Sequence, residues 1–206
     1  MATSLKDLIA PQKTAVITYE LQRGVVGDLA VSAQMPDTKS MVANTSRLVA
    51  AARTNGVRVI HSMTRYRQDR WGAFKNAPIL ATGFRWADGL VEGGPGVDLV
   101  PELELSDEDF QLHRYHGLGA FGGTELDAML RNISVTTVCI TGISLNAGVL
   151  ATAYEAVGLG YSVVIPVDCV YAEPPELMDT MAKNVLPWIS KVSTSDEIVD
   201  AWQDRS

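Results

Sequence analysis

Two short stretches of this chain carry residue types that chemistry needs. The first is TAVITYEL, residues 14 to 21, where Glu20 interrupts a β-branched, apolar run. A carboxyl group set in apolar surroundings can serve as a general acid or base near neutral pH. The second is TGISLNAGVLATAYEA, residues 141 to 156, where an apolar run stops at Gly142 and a turn of small residues leads into a helix. Such a turn holds a reactive group at the end of a strand and aims backbone N–H groups at an anion. It contains no cysteine, and no histidine is spaced to activate its one serine, Ser144. Around these two stretches lie groups that could assist: Gln22, two residues past the glutamate, Arg65 at the end of VRVIHSMTR, and the run His113, Arg114, Tyr115, His116. Tyr115 could donate a hydrogen bond to a developing oxyanion, and Arg114 or His113 could supply a cation.

Other groups invite a different chemistry. His113, His116 and His61 raise the question of a metal, but HxxH at a strand end alternates faces and no carboxylate cluster accompanies it. Neither a metal nor a cofactor is expected. Cys139 lies inside an apolar run, and Cys169 follows Asp168 at the end of another, where it is a candidate displaced nucleophile beside Ser144. The two cysteines have no CxxC spacing, so a disulfide framework is not suggested.

The elements that must position these groups alternate between β-like runs and helical periodicity. Strands are expected at 14–21, at 57–65, at 109–115, at 135–142 and at 161–168, with a short one at KVST. Helices are expected after Asp37, a plausible N-cap, to a stop at Gly56, then at 124–132, 146–160, 174–189 and over SDEIVDAW. Asn146 is expected to cap the third of these. Residues 66 to 98 are rich in glycine and proline and read as a long functional loop, in which RYRQDRWGAFKNAP mixes arginines with Trp71 and Phe74. Such alternation predicts an α/β domain: a three-layer, Rossmann-like parallel sheet with helices on both faces, spanning 1–206 as one domain. In such sheets ligands sit outside the carboxyl ends of the strands, where Glu20, Arg65, His113 and the 142–148 turn all fall.

Composition narrows the partners. The 206 residues hold 17 basic and 24 acidic side chains, a formal charge of −7 that opposes binding to nucleic acid or an anionic membrane. No apolar run approaches the roughly 20 residues needed to cross a bilayer, and the first residues show no signal-peptide core, so a cytoplasmic protein is expected.

The segment GTELDAMLRNISVTTVCITGISLNAGVLATAYEAVGLGYSVVIPVD resembles the second half of the isochorismatase-like hydrolase superfamily, with its G-V-x-x-N-x-C-V turn and G-Y-x-V-x-x-x-x-D strand. VITYELQRGVV resembles the family's first strand, ending in D-x-Q, and YHGLGAFGGTELD resembles its K-x-x-x-[SG]-A-F-x-G-T-x-L-D segment. Carried across, the catalytic aspartate becomes Glu20, the lysine Tyr115 and the cysteine Gly148. All three are changed, and a glycine offers no nucleophile for covalent amide hydrolysis. Isochorismatases proper resemble this chain in having glycine at that position and in relying on the first-strand carboxylate. The resemblance also implies a cis peptide from Ile143 to Ser144, the N–H of Gly148 as part of an oxyanion cradle, Gln22 and Asn146 near the ligand, and a homo-oligomer. A cysteine-independent hydrolase or lyase for a small, anionic molecule is therefore expected, with Glu20 as acid or base and Tyr115 and Gly148 completing the catalytic set. Gln22, Arg65, His113, Arg114, Ser144 and Asn146 are the expected substrate contacts. A non-catalytic binding or scaffold protein is the alternative, and a hydrolase working through Cys169 or Ser144 is a third.

Overall fold

The computed structural model describes residues 4–30, 38–81 and 87–204. A seven-stranded sheet forms its centre, with strands β1 Thr14–Tyr19, β2 Arg58–Thr64, β3 Phe110–Arg114, β4 Thr137–Ile143, β5 Ser162–Pro166, β6 Val170–Tyr171 and β7 Lys191–Ser193. The order is β3-β2-β1-β4-β5-β7, with β6 pairing β4 beyond β5, and every pairing is parallel. The expected α/β class is what is observed.

The sequence explains the layering. All six residues of β1 and all seven of β4 are buried, as β-branched central strands covered on both faces require. Their side chains alternate. Ala15, Ile17 and Tyr19 join Val138 and Ile140 under helices α3 (Leu126–Asn132) and α4, a π turn at Leu145–Val149 continuing as Leu150–Gly158. Val16, Cys139, Ile143 and Val164 face the other way, under α2 (Lys39–Thr54) and the C-terminal helix α6 (Ser195–Gln203). The short first helix α1 (Leu5–Leu8) packs beside α6, where Trp202 Nε1 donates to the Ile9 carbonyl at 2.8 Å.

Several boundaries differ from expectation. Helix α2 ends with Asn55 and Gly56, the latter at φ 71, but it begins at Lys39 after Thr38; the expected cap, Asp37, lies outside the described residues. The strand expected at 161–168 stops at Pro166, because Val167–Cys169 coil into a 3₁₀ turn. The turn brings the Asp168 carboxylate to the first residue of α6, where it accepts from the Ser195 N–H at 2.8 Å and from the Ser195 hydroxyl. The helix expected at 174–189 is broken into α5 (Leu177–Thr180), a π turn and the 3₁₀ turn Leu186–Trp188, as Pro187 removes a backbone donor. The 66–98 loop holds 3₁₀ turns at Ala87–Leu90 and Pro95–Val97, and no helix among the described residues is long and apolar enough to cross a membrane.

Candidate active site

The strand order reverses between β1 and β4, and the candidate site lies beyond their carboxyl ends. Here β1 stops at Tyr19, two residues before the expected end at Leu21. Glu20 leaves the strand with φ 54, a left-handed conformation costing a residue with a Cβ about 1–2 kcal/mol, while its N–H still donates to the Ser62 carbonyl at 2.8 Å. Beside it, Gly142 has φ 108, and a Cβ there would run into the backbone carbonyl of Tyr19, so only glycine permits this approach of β4 to β1. The peptide from Ile143 to Ser144 is cis.

Arg114 ends β3 on the same side of the sheet as Leu112 and Tyr19. Its Nη2 donates to Glu20 Oε1, its Nε donates to Ser62 Oγ at 2.9 Å, and its guanidinium carbon lies 4.4 Å from the centre of the Tyr19 ring. The Arg114 side chain is 1% exposed and that of Glu20 is 23% exposed. Glu20 is thus the face that this ion pair presents to solvent. Tyr19 is itself buried, and its hydroxyl donates to the Leu118 carbonyl. Burial, and after it the charge of Glu20, pushes the Tyr19 phenol well above its ordinary range. Tyr66, just past β2, is raised by the same two causes.

Gly148 lies in the first turn of α4, buried against Tyr19. A Cβ built on it would overlap the Tyr19 ring and stand 2.5 Å from its hydroxyl oxygen. The Gly148 carbonyl accepts from Thr152 Oγ1 at 2.7 Å, and that oxygen in turn accepts from the Ala120 N–H at 3.1 Å. Thr152 therefore ties the turn after β4 to the segment after β3.

Of the residues singled out in the sequence, Glu20, Arg114 and Gly148 are brought together, with Tyr19 between them. Tyr115 is directed elsewhere: its hydroxyl donates to Glu92 Oε1 at 3.0 Å and Arg65 stacks on its ring at 4.8 Å. Arg65 also reaches Glu92, at 3.5 Å. His113 belongs to this second group, and burial together with Arg65 lowers its pKa. Gln22 is fully buried and braces the loop, donating to the carbonyls of Thr64 and Val97 and accepting from the Thr64 N–H at 2.8 Å. The Ser144 hydroxyl donates to Asn146 Oδ1. Asn146 does not cap α4; its side chain bonds the Glu173 backbone, donating to the carbonyl at 2.8 Å and accepting from the N–H at 3.2 Å.

The displaced cysteine is poorly set for attack. Cys169 is fully buried on the α2 face, and burial pushes its thiol up to about 12, which opposes the thiolate form. No group of three histidines, cysteines or carboxylates able to hold a metal ion occurs among the described residues. His116 packs against Phe74 at 5.5 Å, and buried His61 lies between Thr18 Oγ1 at 2.7 Å and Asp109 Oδ2 at 3.1 Å. Tyr19 and Ser62 were not picked from sequence. Alternation along TAVITY and DFQLHRY was the available signal, because it puts Tyr19 and Arg114 on one side and Tyr115 on the other.

Comparison with known proteins agrees with the fold. The chain is 28% identical over 195 residues to the uncharacterized isochorismatase family protein YwoC of Bacillus subtilis, covering 92% of this chain and 94% of that one. It is 27% identical to the ureidoacrylate amidohydrolase RutB of Acinetobacter baylyi, over 95% and 86% of the two chains. Identity is 26% to the Arabidopsis thaliana protein named "Probable inactive nicotinamidase", over 81% and 84%. A cysteine hydrolase structure from Pseudomonas syringae pv. phaseolicola superposes with a TM-score of 0.81 over 97% of this chain and 96% of that one, at 21% identity. A model of the isochorismatase domain matches residues 14–197, nearly the whole span from β1 to α6, and the chain belongs to the isochorismatase family of hydrolases.

Proposed function

We propose that this protein is a cysteine-independent hydrolase for a small, anionic molecule, with Glu20 as its acid–base group. The observation that carries this reading is the Glu20–Arg114 pair at the carboxyl end of β1, resting on the Tyr19 ring that packs against Gly148. As a carboxylate held by a buried guanidinium, Glu20 is suited to take a proton from a bound water. The water oxygen then bonds to the electrophilic carbon, and the charge that develops on the neighbouring oxygen meets backbone N–H groups at the start of α4. The bond to the leaving group breaks as that group takes the proton from Glu20. This route needs no side chain at 148. The arginines after β2, among them Arg70 stacked 5.5 Å over Tyr66, suit a negatively charged group on the substrate.

A second reading is ligand binding without turnover. It is favoured by the Tyr19 ring, which fills the volume where a side chain at 148 would stand. A pooled panel of small amides, ureido compounds, imides and vinyl ethers, incubated with protein and followed by mass spectrometry, separates the two. The hydrolase reading expects turnover by the wild type, a loss of about 100-fold or more in folded Glu20→Gln, and no effect of iodoacetamide. Thermal stabilisation by a panel compound with no turnover would establish the binding protein instead. Inactivation by iodoacetamide would overturn cysteine independence.

A further inference from the structure

We infer that Tyr19 is a positioning residue for the Glu20–Arg114 pair and that its ring is what commits residue 148 to glycine. The inference rests on the hydrolase reading for its purpose, since a positioned carboxylate matters most where it handles a proton.

Three contacts converge on this side chain. Its ring face supports the Arg114 guanidinium at 4.4 Å, within the range of a cation–π contact, and such contacts strengthen when removed from water. With the guanidinium seated on the ring, Nε is turned to Ser62 and Nη2 to Glu20. The Tyr19 hydroxyl holds the Leu118 carbonyl, and Thr152 links the neighbouring Ala120 N–H to the Gly148 carbonyl. The ring also occupies the volume that a Cβ on Gly148 needs. One residue therefore fixes the direction of Arg114 and closes the space of a side-chain nucleophile. Site geometry built this way favours attack by water at Glu20 over attack from the turn.

The test compares wild type with Tyr19→Phe, Tyr19→Leu, Gly148→Ala and the double variant that combines Tyr19→Leu with Gly148→Ala, read by thermal unfolding and by ¹⁵N NMR of the Arg114 Nε–H. A ring beneath the guanidinium shifts that proton upfield, and its bond to Ser62 slows exchange with water. Phenylalanine should keep both signatures, whereas leucine should abolish the shift and speed exchange about 10-fold or more, each 10-fold matching the loss of a modest contact. Gly148→Ala should lower Tm by about 5 °C or more in the wild type and by less than half as much in the Tyr19→Leu background. Should Tyr19→Leu fail to fold, Tyr19→Met replaces it. Arg114 signals unchanged by leucine, or an alanine at 148 equally damaging in both backgrounds, would overturn the inference. Both readouts are independent of turnover, so an inactive panel result leaves this test intact and an active one does not substitute for it.

Discussion

Separating Glu20 from Arg114 should be costlier from one side than from the other. In Glu20→Gln the guanidinium stays behind, 1% exposed, with its charge unbalanced. Removing one partner of a buried pair costs about 3–5 kcal/mol, and because the glutamine oxygen can still accept a hydrogen bond, about 3 kcal/mol is expected. In Arg114→Met the group left behind is Glu20, whose side chain keeps 23% of its surface and can be rehydrated. The methionine also fills much of the arginine stem's volume and can lie against Tyr19. The loss there is the hydrogen bond to Ser62, the ring contact and part of the pair, about 1–2 kcal/mol. Combining the changes removes both charges, so the double variant should be more stable than the sum of the single losses predicts, by about 1 kcal/mol or more.

Urea unfolding of the four proteins, followed by circular dichroism at pH 7, gives these quantities directly. For a chain of this size about 3 kcal/mol corresponds to a fall in Tm of roughly 6–12 °C, so calorimetry can check the ranking. Equal losses for Glu20→Gln and Arg114→Met, or strict additivity in the double variant, would refute the assignment of Arg114 as the buried partner. A larger loss for Tyr115→Phe than for Arg114→Met would point to the residue that sequence matching put at the lysine position.

Three further outcomes are expected. Burial alone would raise the Asp109 carboxyl, but hydrogen bonds from His61, Arg53 and the Ser106 N–H hold it well below the usual range. Its folded pKa is therefore lower than its unfolded one, so its stabilisation is complete above about pH 4 and fades as pH falls further. The Tm difference between wild type and Asp109→Asn, measured from pH 5 to pH 2, should shrink over that descent. Cys139 and Cys169 are buried thiols raised by burial, so iodoacetamide at pH 7 should label neither until urea unfolds the chain, as mass spectrometry will show. Thr194 and Glu197 form a capping box at the start of α6, so Thr194→Ala should cost about 1 kcal/mol in urea unfolding while leaving the Glu20 site unchanged.

The sheet was legible because burial on both faces leaves a plain mark. TAVITY and TVCITGI carry no charged residue and are buried at every position, and only covered parallel strands need that. Helix α6 was legible over SDEIVDAW, and the 3₁₀ turn at Val167–Cys169 was not, since Val167 and Cys169 are as apolar as the strand before them. The line between strand and turn there is drawn by Asp168 bonding Ser195, a contact 27 residues away in sequence. The stretch from 66 to 98 was hard to read for a related reason: beside short local turns, Tyr66 exchanges backbone bonds with Leu90 and Glu92, and the carbonyls of Gly96, Val97 and Asp98 accept from Gly24, Gln22 and Arg23.

At the site the same distinction decides what sequence could give. Matching by motif aligns positions along the chain, so it offered Tyr115 where a lysine is expected. Side-chain direction in a strand depends on parity, and β3 sends Arg114, not Tyr115, toward Tyr19 and Glu20. Parity was readable in DFQLHRY, but only given which face of the sheet holds the site. The partnership of Tyr19 with Gly148 was beyond both methods. It joins residues far apart in the chain through one shared volume, and neither an apolar pattern nor a motif records that a ring in one place forbids a Cβ in another. Packing alone therefore opposes a side chain at 148: with Tyr19 in place, a Cβ there has nowhere to stand. A cysteine engineered at residue 148 would need a change at residue 19 along with it.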